Sequence, residues 1–259
     1  MEPTIEIVEM LARQAGDILL DGYGRPHEIN YKGRIDLVTE TDHRSEEFLV
    51  GEIEKRFPQH TIYAEESGVK NGASRAGTWY IDPLDGTVNF AHGIPCFAVS
   101  IAYVENNEIR LGAVYDPLRD ECFTAERGGG AWLNETRLQV SSTTELVECL
   151  LTTGFPYEKE HGLDRNLELF ARFANLTQGV RRPGSAALDL CYVAAGRFDG
   201  YWELDLEPYD CAAGALLVQE AGGRITSADG NIDFFKPPIS ILAANPGIHN
   251  LMKAIIQQN

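Results

Sequence analysis

The sequence has few basic residues for its length. Its 259 residues include 22 Lys and Arg against 39 Asp and Glu, which gives a formal net charge of −17 at pH 7. A surface of this sign repels phosphate backbones and anionic lipids, so the composition argues against direct binding of nucleic acid or of membranes. If the ligand is itself an anion, its site needs local positive charge, which a metal ion would supply.

Paired cysteines, a basic leader and long apolar stretches are also lacking. The five cysteines are an odd number and none forms a C-x-x-C pair, so we expect reduced, buried thiols. The first residues, MEPTIEIVEMLARQ, are acidic where a secretory signal is basic. No apolar run approaches the length of a membrane span. We therefore expect a cytoplasmic protein.

Helical and extended patterns fill the chain without repeats or a long linker. We predict one unit over residues 1–259, with an α+β half over about 1–140 and an alternating α/β half over about 141–259. The first half has two helices, the second with Asp42 as its N-cap, followed by antiparallel strands. In the second half, strands such as ISILAAN alternate with helices such as DCAAGALLVQEAG.

Residues 82–90, DPLDGTVNF, place two aspartates three positions apart after the apolar strand TWYI. Because Pro83 cannot continue a central ladder, we predict a turn there that brings Asp85 back towards Asp82. Burying two unpaired carboxylates is costly. Oxygen ligands beside a helix N-terminus suit Mg²⁺ together with a phosphate, and the carbonyl of Leu84 adds a further oxygen.

Other acidic residues lie at the ends of predicted elements. They are Glu65 and Glu66 after a strand, and Asp42 and Asp210 at helix starts. Each alone has an ordinary interpretation as a helix cap, a solvated pair or a turn. Together they predict two metal ions about 4 Å apart, the arrangement for in-line displacement at phosphorus. The spacing of the two aspartates is wider than the D-x-D of aspartyl phosphatases, which favours attack by water.

These motifs resemble the inositol monophosphatase family of Mg²⁺-dependent, lithium-sensitive phosphatases. The matching stretches are DLVTETD, AEES, WYIDPLDGTVNF, RRPGSAALDLCYVAAGRFDGYWE and EPYDCAAGALLVQEAGG. They occur in the family's order and cover nearly the whole chain. The resemblance implies a layered α/β/α/β/α sandwich, two or three Mg²⁺ ions and a homodimer.

The resemblance also implies roles for individual residues. The metal ligands would be Glu65, Asp82, the Leu84 carbonyl, Asp85 and Asp210. Thr87 would polarise the attacking water together with Glu65 or Asp42, and the Gly86 and Thr87 amides would hold the phosphate. The positions that would contact substrate hydroxyls are Ser185, Ala186 and Glu203. Lys32 would lie in a loop near the site.

The predicted function is hydrolysis of inositol 1-phosphate or a related small sugar or polyol phosphate by metal-activated water. The same metal frame in relatives hydrolyses fructose 1,6-bisphosphate, histidinol phosphate or 3′-phosphoadenosine nucleotides, so these substrates stay open. Arg181 and Arg182 are the only evident basic pair for a second phosphate. Because some bacterial relatives take part in transcription complexes, a protein-binding module is the alternative of another class.

Overall fold

A computed structural model describes residues 2–25, 29–31, 37–70, 77–155 and 163–258. The α-helices within these ranges are α1 (Ile5–Gly22), α2 (Glu40–Arg56), α3 (Thr87–Ala91), α4 (Leu163–Leu176), α5 (Ala186–Ala194), α6 (Pro208–Glu220) and α7 (His249–Ile256). The strands are β1 (Ile29–Tyr31), β2 (Leu37–Thr39), β3 (Thr61–Ala64), β4 (Gly68–Lys70), β5 (Thr78–Asp85), β6 (Ala98–Glu105), β7 (Glu108–Asp116), β8 (Glu121–Glu126), β9 (Gly130–Leu133), β10 (Thr136–Arg137), β11 (Leu150–Thr153), β12 (Gly179–Arg181), β13 (Gly200–Leu206), β14 (Arg224–Thr226) and β15 (Ile239–Ala244). A short 3₁₀ turn covers Leu146–Glu148.

Two large sheets organise the structure. The first has eight strands in the order β10-β9-β8-β7-β6-β5-β3-β4, and the second has five in the order β12-β11-β13-β15-β14. The antiparallel run predicted for the first half is confirmed, except that β3 and β5 pair in parallel. Strands β1 and β2 form a separate antiparallel pair.

Five layers pack around three apolar cores, of which the central one covers both sides of the middle helical layer. The helices α1 and α2 cover one face of the eight-stranded sheet, while α5 and α6 fill the space between the two sheets. The helices α4 and α7 cover the outer face of the five-stranded sheet. This confirms the α/β/α/β/α sandwich. Because β6 is buried on both faces, its segment AVSIAYV is almost continuously apolar instead of alternating.

The sequence predictions for two local structures need correction. The N-cap of α2 is Thr39, and Asp42 occupies the third helical position, where its carboxylate accepts a hydrogen bond from the Thr39 amide. The chain does not turn at Pro83. Strand β5 continues to Asp85, and a bulge between Asp82 and Asp85 absorbs one extra residue opposite β6. A bulge accommodates a proline because it interrupts the ladder.

The remaining expectations concern cysteines and membranes. All five cysteines are free thiols, four of them buried and Cys96 partly buried, as predicted. In the described ranges, none of the helices is long and apolar enough to cross a membrane.

The short strands β4, β10, β12 and β14 have two or three residues each, too few for the sequence pattern to reveal.

The contact between α6 and the eight-stranded sheet yields a stability prediction. A Cβ at Gly112 of β7 would lie 3.0 Å from the Cα of Ala213 in α6, so the backbones leave no room for a methyl group. We expect Gly112→Ala to lower the free energy of unfolding by about 1–3 kcal/mol. The matched control is Gly51→Ala in α2, which meets open space and should stabilise by up to about 1 kcal/mol. Urea denaturation of both variants gives the comparison, and equal stabilities would contradict this packing.

Candidate active site

A cavity of about 300 Å³ opens where both sheets, α3, α5 and α6 meet. Eight carboxylic side chains line it, namely Glu65, Asp82, Asp85, Asp189, Glu203, Asp205, Glu207 and Asp210. Among its described lining residues, Arg182 is the single lysine or arginine. Such an excess of negative charge in one concave site requires cations before an anionic ligand can enter.

Strand pairing places Glu65 beside Asp82. Strands β3 and β5 are parallel with Ala64 opposite Ile81, and the Glu65 amide donates to the Ile81 carbonyl at 3.1 Å. The next residue on each strand carries a carboxylate. The bulge in β5 then directs both of its aspartates towards the cavity, and the Leu84 amide donates to Asp82 Oδ1 at 3.0 Å.

The N-terminus of α5 holds Asp85. Its Oδ2 accepts hydrogen bonds from the Ser185 hydroxyl at 2.5 Å and from the Ala187 amide at 2.8 Å. Ser185 is also the N-cap of α5, accepting from the Leu188 amide. Free amides and the dipole of a helix N-terminus favour a carboxylate there. Residues 100 positions apart in the chain are therefore joined directly at the cavity.

Helix α6 supplies Asp210 from the other side of the cavity. Asp210 is the third residue of the helix, and its Oδ2 accepts from the Glu207 amide at 2.7 Å in a capping box. Glu207 in turn accepts from the Tyr63 hydroxyl at 3.1 Å, and the rings of Tyr63 and Tyr209 pack edge to face. Glu207 and Tyr209 thus form, together with Tyr63, one polar and aromatic rim beside Asp210.

Burial and mutual repulsion disturb the ionisation of these carboxyls. Burial, and then the charges of Glu65, Asp85 and Asp210, raise the pKa of Asp82 well above its ordinary value. Burial raises the pKa of Asp85 to about 6, although the hydrogen bonds from Ser185 and Ala187 oppose the shift. The pKa of Asp210 is raised for the same reason. Carboxyls that repel each other in this way are stabilised by a divalent cation between them.

The donor set fits a hard metal ion. Glu65, Asp82, Asp85, Asp210 and the carbonyl of Leu84 offer only oxygen atoms, the ligands that Mg²⁺ prefers. In the described part of the chain, however, no three Asp, Glu, His or Cys side chains are already arranged as a closed metal cage. The carboxylates share a cavity without converging on one point, which leaves space for the several waters that Mg²⁺ normally keeps.

Thr87 connects the cavity to Asp42. The Thr87 hydroxyl lies 3.0 Å from Asp42 Oδ1 and 3.0 Å from the Leu84 carbonyl, and its single proton serves one of them at a time. Asp42 is fully buried, and its other oxygen accepts from the Thr39 amide at 2.9 Å. Burial raises the pKa of Asp42, while the hydrogen bonds from Thr39 and Thr87 lower it. Asp42 therefore does not line the cavity and reaches it only through Thr87.

Gly86 occupies a position that excludes any side chain. Its φ is +95°, and a Cβ would lie 2.9 Å from the Cys96 carbonyl and 3.3 Å from that of Gly184. Glycine adopts this conformation without strain. The chain can therefore begin α3 against the cavity, where Gly86 and Thr87 both belong to the lining.

The five-stranded sheet contributes the opposite wall. Glu203 of β13 lines the cavity and accepts a hydrogen bond from the Tyr201 hydroxyl, and a Cβ at Gly154 would overlap its carboxylate. Of the other predicted hydroxyl contacts, Ser185 and Ala186 also line the cavity, but the Ser185 hydroxyl is directed to Asp85. Lys32 lies outside the described residues.

Comparisons with known proteins show which family the chain belongs to. The inositol monophosphatase family profile matches residues 1–259. The chain belongs to the inositol monophosphatase family. It is 42% identical over 257 residues to Nus factor SuhB of Haemophilus influenzae, covering 98% of this chain and 96% of that protein. It is 41% identical over 251 residues to the chloroplastic phosphatase IMPL1 of Arabidopsis thaliana, covering 95% of this chain and 67% of the plant protein.

A solved structure shows the same arrangement of layers. The inositol monophosphatase from Anabaena (Nostoc) superposes with a TM-score of 0.85 at 39% identity, covering 98% of this chain and 95% of that one. The fold and the family are therefore established together, and the similarity extends over the elements that form the cavity.

Sequence reasoning missed several residues that support the site. The buried amide of Asn89 donates to the Cys96 and Pro183 carbonyls, both at 2.8 Å, and so joins two loops beside Gly86. Asp189 lines the cavity and accepts from the Thr152 hydroxyl at 2.9 Å. Both lie inside the motifs DPLDGTVNF and SAALDLC, which was the available signal. Pro183 lies 94 positions from Asn89 and Thr152 lies 37 positions from Asp189, so the sequence pattern could not reveal these contacts.

Glu203 yields a prediction on pH dependence. Burial raises its pKa from 4.5 to about 7, so the folded state binds an extra proton in that interval and loses stability as the pH rises through it. Glu203→Gln, which resembles the protonated form, escapes this loss. Between about pH 5.5 and pH 8.5, the stability of the variant relative to the native protein should therefore increase by roughly 2 kcal/mol.

Urea denaturation in the presence of a chelator measures this difference. Glu126→Gln makes the same chemical change at an exposed position and is the control. A pH-independent difference between Glu203→Gln and the native protein would show that the Glu203 carboxyl is not destabilised by burial.

Proposed function

We propose that this protein is a Mg²⁺-dependent phosphomonoesterase that releases phosphate from inositol 1-phosphate or a related small polyol phosphate. The observation that carries the proposal is that Glu65, Asp82, Asp85 and Asp210 line one cavity, coming from two separate elements, β5 and α6, and from the end of a third, β3. Membership of the family, whose members are generally metal-dependent, supports the same conclusion.

The four carboxylates and the Leu84 carbonyl would hold two or three Mg²⁺ ions. When bound, these ions would neutralise the phosphate charge, lower the pKa of water and stabilise the leaving oxygen. Without cations, a phosphate monoester carrying about two negative charges would be repelled from this cavity. The amides of Gly86 and Thr87, at the cavity wall, would hold phosphate oxygens.

The pair formed by Thr87 and Asp42 would orient the attacking water. With its proton donated to Asp42 Oδ1, the Thr87 hydroxyl has lone pairs left to accept a hydrogen bond from water inside the cavity. Asp42 is held by Thr39 and cannot turn away. Water so oriented attacks phosphorus on the side opposite the ester oxygen.

The wall formed by β13 would select the alcohol part of the substrate. Glu203 has two acceptor oxygens in a nearly dry position, suited to adjacent hydroxyl groups of a polyol. The surrounding Asp189, Asp205 and Glu207 disfavour a second phosphate, which leaves the exposed Arg182 as the main attraction for one. This charge distribution favours a monophosphate over fructose 1,6-bisphosphate or 3′-phosphoadenosine nucleotides, which carry a second phosphate, and it does not disfavour histidinol phosphate, which is itself a monophosphate.

A second candidate function is docking to a protein of the transcription machinery. The similarity to a protein named Nus factor SuhB supports this function. The net charge of −17 favours a basic protein as the partner. We propose that such docking would use the outer surface, with the chain as a homodimer, and would leave the cavity free for substrate.

Phosphate release from a panel of substrates tests the main proposal. We expect turnover of inositol 1-phosphate with Mg²⁺, inhibition by lithium, and no turnover with a chelator. Comparison with fructose 1,6-bisphosphate, histidinol phosphate and 3′-phosphoadenosine nucleotides ranks the substrates. If no member of the panel is hydrolysed while a purified transcription protein binds tightly, the docking function replaces the enzymatic one.

Asp85→Asn gives a sharper prediction. Because it removes one negative charge from the proposed ligand set, phosphate release should fall by roughly a hundredfold or more. The fold should persist, since an asparagine oxygen still accepts from Ser185 or Ala187. Asp205→Asn is the control, because Asp205 lines the same cavity outside the ligand set at φ 66°, where asparagine is tolerated. Native rates in Asp85→Asn would remove Asp85 from the ligand set.

A further inference from the structure

Helix α2 presents three buried polar side chains to the cavity-forming loops. Asp42, Ser45 and Glu46 are 0%, 0% and 5% exposed and lie three and four positions apart, on one face of the helix. On a helix that packs against a sheet, this face would ordinarily be apolar. Each of the three side chains instead bonds a different part of the candidate site.

The three contacts are specific. Asp42 accepts from the Thr87 hydroxyl at 3.0 Å, and the Ser45 hydroxyl donates to the Pro83 carbonyl at 3.0 Å in the β5 bulge. Glu46 reaches the turn that follows β3. Its two oxygens accept from the amides of Glu66 and Ser67 at 2.7 Å and 2.8 Å.

A buried carboxylate such as that of Glu46 is unusual on the face of a helix that packs against a sheet. Among the described residues it forms no ion pair with a lysine or arginine, so two backbone amides compensate the buried carboxylate. Hydrogen bonds from amides to a carboxylate are short and strong, and losing one leaves a buried polar group unsatisfied. The turn that they fix begins immediately after Glu65, whose own amide is tied to Ile81.

We propose that Glu46 is a positioning residue for the reaction, which holds the turn at residues 65–67 so that the Glu65 carboxylate faces Asp82. The inference rests on the proposed function, because it assigns Glu65 to the metal site. Ser45, through its hydrogen bond to the Pro83 carbonyl, likewise holds the bulge that contains Asp82 and Asp85. Helix α2 is then the common support from which three separated pieces of the site take their relative positions.

Glu46→Gln tests the inference, with Glu47→Gln as the matched control. Glu47 is the next residue of the same helix and is exposed, so it makes the same chemical change without these contacts. The glutamine accepts from one amide and turns its NH₂ group towards the other. In the metal-free protein, we expect faster hydrogen exchange at the Glu66 and Ser67 amides of Glu46→Gln alone.

Mg²⁺ binding, measured by calorimetry without substrate, should weaken about tenfold in Glu46→Gln and stay native in Glu47→Gln. In turnover assays, the Mg²⁺ concentration for half-maximal activity should rise by a similar factor, while KM at saturating Mg²⁺ changes little. A purely structural role predicts a lower melting temperature with native Mg²⁺ affinity and native exchange at residues 66 and 67, and that result overturns the inference.

A variant that fails to fold and a native protein without activity both leave the role of Glu46 testable. If Glu46→Gln does not fold, the same measurements are made on Glu46→Asp. The aspartate keeps the charge, but its side chain is one methylene too short to reach both amides. If the native protein binds Mg²⁺ but hydrolyses no substrate, the proposed function is wrong. Hydrogen exchange and calorimetry then still test whether Glu46 positions Glu65 for Mg²⁺ binding. A native protein that binds no Mg²⁺ overturns both.

Discussion

Negative charge that far exceeds the positive charge among the described residues of the cavity is the constraint on which this structure depends. The carboxylates of Asp42, Asp85, Asp210 and Glu46 each accept hydrogen bonds from backbone amides of another segment or of their own helix start. Amides at helix N-termini and turns can compensate part of a carboxylate's lost hydration, but they leave its net charge in place. The site is therefore built to hold acid groups, and their charge is only partly compensated by the hydrogen bonds that they accept.

The layered fold makes this concentration of charge possible. Three helices, α2, α5 and α6, direct their N-terminal turns towards the region where β5 bulges, and two of them lie between the sheets. Close packing of small residues, such as Gly112 against Ala213, brings α6 near enough for Asp210 to share a cavity with Asp82. The apolar cores on either side hold the acidic loops in place against their mutual repulsion.

The wall carrying Glu203 and the wall carrying Asp82 belong to different sheets, so the proposed alcohol and phosphate parts of the site are supported by separate sheets. Asp85 and Ser185 join the two parts by a direct hydrogen bond, and Asn89 adds a second link through Pro183. These two hydrogen bonds fix the relative position of the walls.

The sequence alone determined the family and the fold class and predicted an oxygen-rich ligand set, because these inferences rest on contiguous motifs such as DPLDGTVNF and on local periodicity. It also indicated that acidic residues at element ends would meet. Only the tertiary structure showed that β5 continues through a bulge, that Asp42 acts from behind Thr87, and that Glu46 supports the turn beside Glu65. Each of these depends on contacts between residues 13 or more positions apart. Local sequence patterns do not encode which distant backbone group a side chain will contact.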